Sequence, residues 1–355
     1  MANYGNYCTR EDLKRAASWS GTDKHVQIDR LADAASRGID LATRRWFFPR
    51  TQTRLFRWPS YQQPQSAVLW LDADLLSVTT LQTKAQDSSP TTIVAADYFL
   101  EPNNYGPPYD RIEIDLSSSA AFESGQTSQR SISVLGSWGY GNATRTGGTV
   151  ASGLASDAAA VSMVCSDASL IGVGSVLLIE TEQVFVSDRA FAALGSILVN
   201  DAAITAAVDD NSITVDGSHG IVAGEVIRID SEEMLVLGVA TNVLTVVRAY
   251  NGTILAAHSD DTAVHINRTL TIVRGVNGTT AAVHANATVV SVYVPPVDVR
   301  TWCIAEAISL YNQEGAGWGR VVGSGDGAVE MSGRQLAELR RQMTGRYLRV
   351  RSAAI

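Results

Sequence analysis

The segment from residue 22 to residue 59, TDKHVQIDRLADAASRGIDLATRRWFFPRTQTRLFRWP, sets the reading of the fold. Ile28, Leu31, Ala32, Ala35, Ile39 and Ala42 recur at spacings of three and four, which places them on one stripe of an α-helix. Thr22 or Asp23 can cap its start, because a short side-chain oxygen there accepts an otherwise orphaned backbone N–H. Ala35, Ser36 and Gly38 keep the middle thin enough for another helix to approach. Pro49 disfavours helical geometry in the residue before it, so the spacing predicts a helix over 23–47. It ends in Arg44, Arg45, Trp46, Phe47 and Phe48. Such a basic, aromatic end can lie in a partner's groove or on a sister subunit. It can equally close the chain's own core, since large aromatics dominate core burial. A short basic stretch then leads to Trp58.

Outward from this helix, Thr9 and Asp12 mark a capping box for a short helix over 10–19. Stripes at Val299, Cys303, Ile304, Ala307, Ile308 and Tyr311 and at Leu336, Leu339 and Met343 predict helices over 297–314 and 333–344, with Gly345 as a stop. Between 67 and 138 the pattern turns to strands, with Asp72-Ala73-Asp74 as a turn and RSISVLGSW (130–138) alternating as a half-exposed strand.

Residues 147–160 read as a flexible lead-in to a block with internal repeats. Ser162–Val186 matches Ser212–Val236 at an offset of 50, and Leu244–Val264 matches Leu270–Val290 at an offset of 26. Asn251-Gly252 and Asn277-Gly278 each follow a β-branched run and suit type I′ turns. The block carries fifteen Asp or Glu and five Arg between residues 147 and 296, a net of −10, in a chain of net charge −8. All seven Trp lie outside it. Two compositions in one chain predict two bodies, 1–146 with 293–355 and an all-β insertion, 147–292.

The remaining composition excludes several classes. No apolar run approaches the ~18 residues of a membrane span, and the N-terminus lacks the apolar core of a signal peptide. Cys8, Cys165 and Cys303 are odd in number and far apart, which gives neither a disulfide framework nor zinc spacing. Synthesis in the cytoplasm is expected. No catalytic constellation emerges, so no enzyme, no cofactor and no metal is assigned. His258 and His284 occupy equivalent repeat positions and read as structural. The carboxylate clusters Glu180-Thr181-Glu182 and Asp230-Ser231-Glu232-Glu233 could coordinate Ca²⁺, but read better as solvated hairpin faces. The Arg-rich C-terminus and Arg44, Arg45, Arg50, Arg54 and Arg57 could face phosphates or acidic partner patches, or simply be a salt-bridged surface.

The order of motifs resembles one family. AASRGIDLATRRWFFP, LWLDADLLSVTTL, ISVLGSWGYG and VPPVDVRTWCIAEAISLY, followed by a terminal helix, look like the head-to-tail adaptors (connectors) of long-tailed double-stranded-DNA bacteriophages. The chain departs by carrying the β block between GSWGYG and VPP. The resemblance implies a structural virion protein at the head–tail junction. It implies a homo-oligomeric ring, usually dodecameric, joining the portal to the next neck (stopper) or tail protein around the DNA channel. Carried onto this sequence, the portal or ring contacts are Arg44, Arg45, Trp46, Phe47 and Phe48 with Arg340, Arg341, Arg346, Tyr347, Arg349 and Arg351. Contact with genomic DNA would be non-specific. The insertion is expected to project outward, towards capsid or collar proteins. The alternative is a carbohydrate- or receptor-binding β-repeat protein, against which the block's poverty in aromatics weighs. The expected fold is α+β, a helical adaptor core with a small β-sheet plus the inserted all-β domain.

Overall fold

The computed structural model describes residues 5–58, 67–155, 157–200, 203–315 and 333–349. Of these, 38% lie in strands and 22% in helices, so the expected helical core with a small sheet is overturned and the protein is mainly β. The four helices among the described residues fall where periodicity places them: α1 (Arg10–Ala17), α2 (His25–Thr43), α3 (Val297–Gly315) and α4 (Gly333–Tyr347). Thr9 and Asp12 form the capping box of α1. α2 ends four residues before the expected stop at Phe47, because the chain turns at Arg44, whose φ is +55°. Gly345 does not stop α4, which runs on to Tyr347. Location was legible, but weight was not. α3 buries only Val299, Trp302, Cys303 and Ala307, a stripe too narrow to build a core around.

By its internal contacts the chain divides into two units. One comprises Met1–Arg37, Thr144–Val276 and Thr280–Leu339; the other comprises Gly38–Ala143, Asn277–Thr279 and Arg340–Ile355. This cut passes through α2 and α4, unlike the one drawn from composition.

The second of these units is a six-stranded antiparallel sheet. Its strands are β1 (Arg50–Phe56), β2 (Val68–Thr83), β3 (Thr91–Ile93), β4 (Tyr98–Glu101), β5 (Tyr109–Ile114) and β6 (Ile132–Trp138). Their order is β1-β6-β2-β5-β4, with β3 also on β2. The sixteen-residue β2 is its spine. Asp72-Ala73-Asp74, expected as a turn, instead lies inside β2, where the pairing with β5 shifts between Trp70 and Leu75. Leu69, Leu71, Leu75, Leu81, Ile112, Ile132, Val134 and Trp138 fill the core, and alternate residues of β6 are buried as its pattern predicts. β1, RTQTRLF, reads as polar coil but pairs with β6 along its whole length.

The other unit contains β7 (Thr144–Ser152), β8 (Ser162–Cys165), β9 (Val176–Ile179), β10 (Glu182–Leu198), β11 (Ala203–Ile204), β12 (Ser212–Thr214), β13 (Val226–Ile229), β14 (Glu232–Ala240), β15 (Val243–Val247), β16 (His258–Ser259), β17 (Ala263–Val273) and β18 (Val289–Tyr293). The strand order is β10-β9-β18-β7-β8-β17-β13-β14-β15-β12, and β10 also pairs with β17. That last pairing closes the first six strands into a barrel, filled by Val150, Met163, Leu177, Ile179, Val184, Leu270 and Val292. β7 falls largely in the expected lead-in; glycine and threonine disguised it as loop. The far half of β10, the near half of β17, and β13, β14, β15 and β12 form a second ring, joined at the Val199–Val215 bridge. Its core is Ile213, Ile227, Ile229, Met234, Val236, Leu244 and Val264.

The two offsets in the sequence are therefore one repeat seen in two halves. One copy consists of 162–186 and 270–290. The other, 212–236 and 244–264, is nested between those halves. The Asn-Gly pairs do take positive φ, with Asn251 at 53° and Asn277 at 55°. They sit in short 3₁₀ turns and not between paired strands.

The N-terminal arm seats on one copy only. Asn6 N donates to Gly174 O at 2.9 Å, Arg10 N to Val173 O at 3.1 Å, and Val173 N to Glu11 Oε2 at 2.9 Å. The approach needs a glycine, because a Cβ on Gly172 would lie 2.6 Å from Thr9 Cβ and from Glu11 Oε2. The nested copy has Val222 at the matching position. We expect Gly172→Val to release the arm and destabilise the protein by roughly 1–3 kcal/mol, the usual cost of overpacking. Urea denaturation measures the loss, and hydrogen exchange at residues 6–12 reports the release.

Candidate functional site

Four of the stretches that carry the family resemblance converge on one buried acid, Asp74, in the sheet unit. It lies in β2 between Leu71 and Leu75 and is 6% exposed. Arg45 Nη1 reaches Asp74 Oδ2 at 2.7 Å, and Arg349 Nη1 bonds Oδ1. Both arginines also tie backbone. Arg45 Nε donates to Tyr347 O at 2.7 Å, Arg349 Nη2 to Leu71 O at 2.9 Å, and Arg349 N to Thr43 O at 2.8 Å. Gly139 N donates to Asp74 O at 2.9 Å, and Tyr140 N to Trp46 O at 2.6 Å. Two guanidinium groups on one buried carboxylate leave the cluster a net positive charge.

Aromatic rings surround this centre. Phe47, Tyr140 and Tyr347 form a triangle with centroids 5.3–5.4 Å apart, two of the pairs edge-on as the ring quadrupole favours. Arg45 stacks over Tyr140 at 5.1 Å, and Arg50 over Trp46 at 4.0 Å. Arg54 lies 5.4 Å from Trp46 and 5.1 Å from Trp138.

Of the residues singled out from sequence, Arg45, Phe47, Tyr347 and Arg349 thus meet in one cluster, with Trp46 at its margin. Phe48 is buried and Arg44 exposed. Arg340, Arg341 and Arg346 lie on the exposed side of α4, the first two lining a shallow groove with Thr344, Gly345 and Leu348. Arg351 lies outside the described residues. Sequence reasoning missed Asp74. Its signal was an acid inside an apolar run, a residue type seldom buried unless paired.

The repeat unit holds a second, duplicated cluster. Glu232 receives Arg248 Nε and Nη2 at 2.8 Å each, Ala249 N at 2.8 Å and Ala256 N at 3.0 Å. Glu182 receives Arg274 Nε at 2.7 Å and Nη2 at 2.6 Å, Gly275 N at 3.0 Å and Ala282 N at 3.1 Å. His258 sits between Asp230 (2.8 Å) and Glu232 (2.9 Å); His284 sits between Glu180 and Glu182, at 2.8 Å from each. Each ring thus bridges an outer and an inner acid through its two nitrogens. The outer acids are placed by two-residue hairpin turns, at which Glu180 and Asp230 take φ of 55° and 51°. For a non-glycine residue that conformation costs about 1 kcal/mol, which the histidine contact helps to offset.

Glu182 and Glu232 are not on the solvated hairpin faces expected, since they are 1% and 0% exposed, whereas Glu180 and Asp230 do lie exposed at the turns. The buried pair has its carboxylate oxygens taken by arginine, histidine and backbone donors. Among the described residues no group of three or more His, Cys, Asp or Glu is placed to hold a metal ion. Burial alone would raise both glutamates. The arginine, backbone and histidine donors outweigh it and hold each at about 2, against an ordinary 4.5.

A carboxyl held below its unfolded value stabilises the fold above about pH 4.5 and loses that contribution as pH falls towards 2. We therefore expect the urea midpoint to fall steeply between pH 4.5 and 2.5. At pH 7, Glu182→Ala and Glu232→Ala should each cost about 3–5 kcal/mol, since each strands a buried guanidinium. Denaturation curves of the two variants across this pH range check both expectations. Compared with known proteins, the chain matches no family model, no curated protein and no solved structure.

Proposed function

We propose that this protein is a non-enzymatic structural component of a phage neck, a ring-forming adaptor between the portal and the next neck or tail protein. The observation that carries the reading is the cluster at Asp74. LATRRWFF, LDADLL, GSWGYG and the C-terminal segment are far apart in sequence, yet each supplies a group to it. In an adaptor, a cluster of this kind would fix the C-terminal segment so that the basic outer side of α4 is presented at a constant angle. A constant angle between copies is what lets a head-to-tail contact close into a ring. The helical build implied by the resemblance gives the reading no support; the motif cluster does.

The charge distribution fits the same role. Three of the five arginines in the repeat block are committed to buried glutamates, namely Arg248, Arg268 and Arg274. Removing those pairs leaves 15 − 3 = 12 acids against 5 − 3 = 2 arginines. A surface of that sign repels nucleic-acid phosphates. In this reading the block faces away from the DNA channel, towards capsid or collar, and the genome passes only the basic parts of the chain.

The test is negative-stain microscopy of the full chain, alone and with the portal protein of the same phage. Rings seated on the portal are expected. The triple variant Arg340→Glu, Arg341→Glu, Arg346→Glu should bind the portal at least about tenfold more weakly while remaining folded by circular dichroism. A chain that never assembles on the portal, or a triple variant that assembles unchanged, would overturn the proposal.

A further inference from the structure

The N-terminal arm, α2 and α3 meet at a point with no role in either cluster. Cys8, one residue ahead of the α1 cap, and Cys303, in the middle of α3, are 1% and 0% exposed. Their sulfur atoms are 3.1 Å apart, and Ser36 Oγ of α2 lies 3.4 Å from Cys303 Sγ. The arm is held in this register on both sides of Cys8, by Tyr7 N on Ser36 Oγ at 2.9 Å and by Thr9 N on Asp12 Oδ2 at 3.0 Å. The two thiols belong to residues 295 positions apart in sequence, yet each is the other's hydrogen-bonding partner. Closing them to a disulfide bond length of about 2.05 Å requires the sulfurs to approach by about 1 Å, within the reach of side-chain rotation. Cys165, by contrast, is buried in the barrel core among aliphatic side chains.

We infer that Cys8 and Cys303 are an oxidisable dithiol, which hydrogen peroxide converts to a disulfide tying the N-terminal arm covalently to α3. One thiol attacks the peroxide, breaks its O–O bond, becomes a sulfenic acid and releases water. The second thiol attacks that sulfur, forms the S–S bond and expels a second water. Two electrons pass from the thiols to the peroxide, and both thiol hydrogens leave in water. A peroxide is small enough to reach a sealed pair during brief openings of the arm. Hydrogen bonding to Cys303 and burial push the Cys8 thiol well above its ordinary range, so closure is slow at neutral pH and quickens as pH rises. The chain would be made with open thiols in a reducing cytoplasm and stapled once in an oxidising medium. This chemistry does not depend on the assembly reading.

The test uses the full chain, treated with a few equivalents of hydrogen peroxide at pH 7 and pH 9. It is then unfolded, alkylated, and analysed by intact mass and peptide mapping. The expected product has lost two hydrogens and carries one alkylated cysteine, Cys165, with the peptides of Cys8 and Cys303 crosslinked. Cys165→Ser should give the same crosslink and no alkylation. Burial pushes Cys165 up to about 12, which makes it an internal control for an isolated buried thiol. The crosslinked form should melt several degrees higher, and the difference should vanish on reduction. Three alkylatable thiols after treatment, a crosslink that includes Cys165, or separate oxidation of Cys8 and Cys303 to sulfinic acids would each overturn the inference.

Discussion

Each copy of the repeat hangs on a glutamate buried at the first residue of a strand. Such an acid is tolerable only if every lone pair finds a donor, since removing an ion from water costs several kcal/mol. Glu232 meets the demand with Arg248, His258 and two backbone amides, and Glu182 does so with Arg274, His284 and two more. The donors come from one loop that leaves the end of a strand and crosses the mouth of the ring. The guanidinium completes the fastening by donating back to the loop, at Ala256 O and Ala282 O. The stretches after β15 and β17, which lack regular strand pairing, are thereby fastened to the buried carboxylates. The strained φ at Glu180 and Asp230, the positive φ at Asn251 and Asn277, and the spacing of arginine to histidine all follow from bringing those groups to one carboxylate.

The second cluster solves a different problem with the same chemistry. Around Asp74 a single acid takes two arginines, and the surplus charge is spread over aromatic faces instead of a second carboxylate. Guanidinium suits this because it is planar and weakly hydrated, so it can stack on a ring while its edge still donates. In the repeats each buried glutamate is matched by one arginine inside the fold. The Asp74 cluster is left positive beside the exposed arginines of α4, so the two ends of the chain's chemistry face different electrostatic surroundings.

What could be read from the sequence tracks how far each element depends on near neighbours. α1, α2, α3 and α4 were legible because a helix is specified by residues three and four apart. β6 was legible because ISVLGSW alternates cleanly. β1 and β7 were not, since RTQTRLF and TRTGGTVAS take their burial from strands far away in sequence, and strand preference is largely a matter of such context. The same division holds for the sites. The duplicated histidines and duplicated carboxylates were each visible, whereas the arginine that joins them was not singled out. That they form one site was not visible, because Glu182 finds Arg274 and His284 at separations of 92 and 102 residues. Asp74 was misread as a turn residue for the same reason: its partners lie 29 and 275 positions away.

The nesting makes those separations informative. In the inner copy the glutamate meets its arginine and histidine across 16 and 26 residues, and in the outer copy across 92 and 102. The sites are otherwise alike, so the difference falls on chain entropy, and loop-closure scaling sets it at about 1–1.5 kcal/mol in favour of the inner copy. That penalty applies to a flexible intervening chain. Once the inner ring has formed, with the far half of β10 paired to the near half of β17, the outer halves no longer have to find each other across an unfolded segment. The inner ring therefore prepares the outer one. The outer ring then prepares the seat for the N-terminal arm, because Val173 and Gly174 become available to Asn6 and Arg10 only when β9 and β10 are in place. The arm that carries Cys8 is thus seated on residues that the outer copy places.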